Sequence, residues 1–142
     1  KIKPNDFFKT DYVTVIKNGE KTDLKKTEIF GYQLCNEEFF RFLNNDRLTL
    51  ADKSGLWIYT REEVVSHSPF TGTKKRTKYY FSKDGSGEIK SLTFNNLKDV
   101  IPANDPLYSE MELLFSSNSA LHAYNQSSGS YKINSFLNSK GL

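Results

Sequence analysis

With one cysteine, Cys35, the chain can build neither an internal disulfide nor a cysteine-based zinc centre. Its two histidines, His67 and His122, have no His, Asp or Glu at metal-ligand spacing of the HExxH kind. Alanine is scarce at four residues, which argues against a helical bundle. No apolar run approaches the roughly 20 residues a membrane-spanning helix needs, and residues 1–8, KIKPNDFF, lack the apolar centre of a secretory leader. An excess of one charge is missing too. Twenty Lys and Arg stand against 17 Asp and Glu, and a net +3 demands no anionic partner.

What the chain has instead is rings. Aromatics make up 14% of the 142 residues, with eleven Phe, eight Tyr and one Trp, so they must supply much of the core. Rings and β-branched residues favour pleated, half-buried surfaces. A chain of this length falls in the single-domain range, and no linker, repeat or low-complexity segment divides residues 1–142.

The apolar pattern predicts strands first and helices second. Residues 12–17 alternate around Val13 and Val15, and Asn18-Gly19 is a tight-hairpin dipeptide. Strands follow at 28–35 and 38–43, joined by a turn at Asn36-Glu37, with Phe40 and Phe42 on one face. Residues 47–51 turn Leu48 and Leu50 inward, 52–55 turn, and LWIYT at 56–60 is a further strand. A polar loop is expected at 66–73, then a strand at 77–82, a turn at 83–87 and a last strand at 89–94.

Beyond residue 94 the signals are helical. Asn95 caps a short helix through Ile101, and Asp105-Pro106 opens a second one bearing Leu107, Tyr108, Met111, Leu114 and Phe115 on one face. Further helical turns are expected at 120–125 and 132–137, separated by Ser127-Ser128-Gly129. The expectation is an α+β fold: a mainly antiparallel sheet or small open barrel over residues 12–94, followed by short C-terminal helices.

Each chemical motif has a simpler structural reading. SKDGSGEIKSLT at 82–93 matches the centre of an EF-hand loop at Asp84, Ser86, Gly87 and Ile89, but Ser82 and Thr93 stand where two charged ligands belong. A glycine-rich hairpin turn accounts for it. KKRTKYY mixes cations with rings as single-strand nucleic-acid platforms do, yet it is one strand in a nearly neutral chain, so nucleic acid is disfavoured. Glu37-Glu38 and Glu62-Glu63 are adjacent and would point to opposite faces of a strand, as surface charges do. Cys35 reads as a small buried hydrophobe. Either histidine could in principle join one of fifteen serines, but there is no GxSxG elbow. The residues name no catalytic group, metal ligand or cofactor.

In their order, EIFGYQLCNEEFFRF, LWIYT, TKYYFSKDGSGEIKSLTFNNLKDVIP and LHAYN resemble a group of small exported proteins of Bacteroidetes-type bacteria with no assigned activity. The resemblance rests on Ile29, Gly31 and Tyr32, on Tyr79, Tyr80 and Phe81, on Leu92, Thr93, Asn96 and Leu97, and on Tyr124 and Asn125. It covers about residues 12–137 and carries no site residue. It implies a mature chain whose leader has been removed, in the periplasm or cell envelope.

Two functional classes follow. The first is a non-catalytic envelope or periplasmic interaction domain that binds a protein, peptide or glycan. Both faces of LWIYT are apolar, so if helices cover one side of the sheet, rings on the other stand beside cations. That makes Trp57, Tyr59, Lys75, Lys78 and Tyr80 the candidate ligand surface, against the simpler reading that Trp57 fills the core. The alternative is a hydrolase or other enzyme with an unrecognised site. A deep pocket joining a histidine to a serine or carboxylate would favour it.

Overall fold

The computed structural model describes residues 1–4, 10–35, 38–70 and 72–142. The expected Asn36-Glu37 turn, with Glu37 of the first acidic pair, lies outside them. The fold is α+β, mostly antiparallel sheet with short C-terminal helices. By compactness the chain divides into residues 1–50 and 51–142.

In the first unit, strands β1 (Ile2–Lys3), β2 (Tyr12–Lys17) and β3 (Glu20–Lys25) form one antiparallel sheet. Asn18 and Gly19 make the β2–β3 turn with φ of 52° and 85°, the left-handed values that this dipeptide tolerates. Strands β4 (Gly31–Gln33) and β5 (Phe39–Leu43) pair antiparallel, as do β5 and β6 (Asp46–Asp52). Of the expected strand at 28–35, only three residues are regular. Gly31 is required because a Cβ there would collide with the Phe40 carbonyl oxygen across the pair.

Among the described residues of this unit, Val13, Tyr32, Phe40 and Phe42 form a small core cluster. Long cations complete it through their stems and rings. Arg47 lies over the Phe40 ring at 4.7 Å and donates to the Tyr32 hydroxyl, and the buried Lys26 lies over Phe42 at 5.3 Å.

In the second unit, β7 (Trp57–Ser68) pairs with β8 (Gly72–Ser82), and β8 pairs briefly with β9 (Lys90–Ser91). Three corrections to the sequence reading arise here. Residues 66–73 are mostly strand, with Pro69 and Phe70 in the turn and Thr71 outside the described residues. The strand at 56–60 runs on to Ser68. The expected strand at 89–94 shrinks to two paired residues.

Four helices follow: α1 (Phe94–Leu97), α2 (Pro106–Leu114), α3 (Asn118–Leu121) and α4 (Lys132–Ser139). Thr93, not Asn95, caps α1, its hydroxyl accepting from Asn96 N–H. Asp105 caps α2 as expected, accepting from Leu107 N–H at 2.9 Å, with Pro106 in the first turn. The α2 stripe is narrower than its spacing suggests: Tyr108, Met111 and Phe115 are buried, but Leu114 is exposed. Residues 124–125 are not helical but form β10 (Tyr124–Asn125), which pairs with β11 (Ser130–Tyr131) around Gly129.

One cluster joins these elements, with Leu56, Ile58 and Phe81 from the sheet and Leu97, Met111, Ile133 and Leu137 from the helices. Asn134 ties α4 to the start of β7, its Oδ1 accepting from Leu56 N–H at 3.0 Å and its Nδ2 donating to Leu56 C=O at 2.8 Å. A fully buried side-chain amide thus stands in for a neighbouring strand.

Candidate functional site

Along β7 and β8 the inner half is packed and the outer half is open. Ile58 and Tyr59 are both 0% exposed, and Phe81 and Tyr80 opposite them are buried. From Glu62 to Ser68 and from Gly72 to Thr77, nearly every residue is exposed or half-buried at most. Phe70 in the turn is 95% exposed, and Val64 and Val65 are exposed on the strand. The register shifts between Val64 and Ser66, a bulge at Val65.

Residues 61–78 carry five cations and two carboxylates, an excess of three that equals the net charge of the whole chain. Register assigns that excess to one face. Arg61, Glu63, Lys74, Arg76 and Lys78 lie on the Tyr59–Tyr80 side, whereas Glu62 and Lys75 lie on the Ile58–Phe81 side and pair with each other at 2.8 Å. Glu63 receives Lys78 at 2.8 Å and Arg76 at 3.3 Å. Its hydrogen bond from Lys78, then that from Arg76, hold the carboxyl below its usual range. Lys74 makes no ion pair with a described residue.

The five sequence candidates are separated by this arrangement. Tyr59 and Tyr80 are cross-strand partners, but both are buried, and the Tyr59 hydroxyl meets Ser82 Oγ at 3.0 Å. Trp57 is half-buried, its ring so close to Gly85 that a Cβ there would lie 2.8 Å from it. These rings do not stand exposed beside Lys75 and Lys78, which sit farther out on opposite faces of the ribbon. Sequence reading missed Val64, Val65 and Phe70 because exposure is not visible in residue type.

The remaining motifs settle into structural roles. Asp84 turns its carboxylate inward on its own turn, accepting from Ser86 N–H, Ser86 Oγ and Gly87 N–H. Tyr79 stacks on His122 with centroids 4.1 Å apart, leaving no open ring pair in KKRTKYY for a base. Burial lowers the His122 pKa, disfavouring the charged imidazolium. His67 Nδ1 meets Thr73 Oγ1 at 2.7 Å, and among the described residues no serine or carboxylate is hydrogen-bonded to its ring. Cys35 is exposed, contrary to the expectation of a buried thiol: it lies two residues past the end of β4, outside the paired strand. Among the described residues no three His, Cys, Asp or Glu side chains gather as metal ligands.

Two buried groups near α4 have shifted pKa values. Burial opposes the charge of Asp52, but N–H groups of Tyr131 and Ser54 outweigh it and lower the pKa. Burial, then the nearby Tyr79 and Asp52, push the Tyr131 hydroxyl up to about 12. The Asp52 carboxylate thus anchors β11 through the Tyr131 N–H at 2.9 Å. A groove of about 420 Å³ between α2, α3 and α4 is lined by Leu114, Phe115, Ala120, Lys132 and Phe136, and contains no histidine. No family model, curated protein or solved structure matches the chain.

Proposed function

We propose that this chain is a non-catalytic interaction module of the cell envelope or periplasm, binding a protein, peptide or glycan through the outer half of the β7–β8 ribbon. The observation that carries the reading is the ribbon's composition: it exposes Phe70, Val64 and Val65 together with the chain's entire charge excess. Exposed rings and aliphatics next to cations supply both desolvation energy and orientation, as recognition surfaces require. The export setting rests on the resemblance to small exported proteins. The enzyme alternative draws no support from the histidines, since His122 is stacked on Tyr79 and His67 meets only a threonine.

Site-specific photocrosslinking tests the reading. A photoreactive phenylalanine analogue placed at Phe70 should give one saturable adduct in an envelope extract, and the same group at the exposed Leu113 on α2 should not. Equal labelling from both positions would overturn it.

A further inference from the structure

We infer that the ribbon's partner is an extended acidic polypeptide, which adds as a strand to the outer edge of β8 and presents a carboxylate at every second residue. The inference rests on the interaction reading and gives that partner a chemistry. Two independent observations lead to it.

The first is an open edge. The Tyr79 carbonyl accepts from Leu92 N–H at 3.0 Å, and β9 then pairs only with Tyr80 and Phe81. Main-chain groups of alternate residues in a strand point to the same side. Those of Thr77, Lys75 and Thr73 therefore turn to the edge at which Tyr79 is bonded, and no described strand meets them there. An incoming extended chain would find N–H and C=O groups already aligned.

The second is charge pattern. Lys74, Arg76 and Lys78 follow at two-residue intervals on one face of that edge strand, with Arg61 opposite Lys78 and Glu63 as the only carboxylate among them. A strand paired alongside places its own side chains at the same interval. Carboxylates at every second position would each face a cation.

The same pattern argues against other occupants. A second copy of the chain would bring like charges into register, the usual device by which edge lysines prevent self-pairing. A nucleic acid or sulfated glycan would use the cations but leave the open main-chain groups unmatched.

The test uses the 142-residue chain and a short synthetic peptide of alternating Glu and Thr, followed by fluorescence anisotropy. A peptide of the same composition with its glutamates in one block should bind at least about tenfold more weakly. Methylating the backbone nitrogens on the peptide's pairing edge should abolish binding with the protein unchanged. Thr77→Pro removes an N–H that faces the open edge and not β7, so it should weaken the peptide about tenfold and leave a sulfated oligosaccharide unaffected.

No peptide binding, equal affinity for alternating and blocked peptides, or indifference to backbone methylation would each overturn strand addition. Tighter binding of the oligosaccharide or of single-stranded DNA would do the same and assign the face to another polyanion. A Phe70 crosslink that survives those results would leave the interaction reading standing; its loss would remove that reading as well.

Discussion

The inner and outer halves of the β7–β8 ribbon share two strands and one antiparallel ladder, yet they are held by different forces. At the inner end Ile58, Phe81 and Tyr59 lose all or nearly all contact with water, and the hydrophobic effect fixes them. At the outer end the strands keep their pairing through main-chain hydrogen bonds, β-branched residues and exposed ion pairs such as Lys75–Glu62. Solvent screens exposed pairs of that kind so that they contribute little, and an isolated two-stranded hairpin is marginal in water. The outer half therefore depends on its anchored base, which leaves its side chains available for binding.

Positions on the same face of β7 give the sharpest contrast. Ile58→Ala should cost about 2–5 kcal/mol of unfolding free energy, from lost burial and the cavity left behind. Val64→Ala, six residues along the same strand at 63% exposure, should change stability by no more than about 0.5 kcal/mol. Urea denaturation of both variants decides it. Comparable losses would mean that the outer half is packed after all.

The base can also be loosened without touching its hydrophobic residues. Asn134→Ala leaves the buried Leu56 N–H and C=O without partners, at about 1–3 kcal/mol for each group. The expected loss is about 2–4 kcal/mol, read as a lower thermal midpoint, together with faster hydrogen exchange at Leu56. Exchange at Lys75, whose main chain faces the open edge, should be fast in both proteins.

A smaller effect depends on pH. Asp52 has a lowered pKa in the fold, so the unfolded chain takes up its proton first as the solution is acidified. Its stabilisation is complete above the ordinary value of 3.8 and is lost as pH falls through the lower folded value. Asp52→Asn should be less stable near neutrality and should flatten the fall in the urea midpoint below about pH 4. An acid profile that Asp52→Asn leaves unaltered would remove Asp52 from that slope.

Local chemistry made part of the molecule legible. Asn18-Gly19 and Asp105-Pro106 act within four residues, through backbone φ and a cap, and both stand where the sequence placed them. LWIYT was readable as a strand because four of its five residues are apolar or aromatic. Its continuation to Ser68 was not, because REEVVSHS has no alternating apolar face and its extension comes from cross-strand pairing with residues 72–78. Exposure at the candidate site was illegible for the same reason. Tyr59 and Tyr80 have the composition of a recognition surface, and only pairing and packing show that both are interior.

By itself, then, the sequence determined the class of fold, the ring-built core, the Asn18-Gly19 turn and the Asp105-Pro106 start of α2, whose causes lie within a few residues. Tertiary structure alone decided which rings meet water, that Asn134 completes a strand 78 residues away, and that the charge excess lies on one face of an open edge. The physical reason is range: turn and capping energies depend on immediate neighbours, whereas burial and strand register depend on segments far apart in the chain.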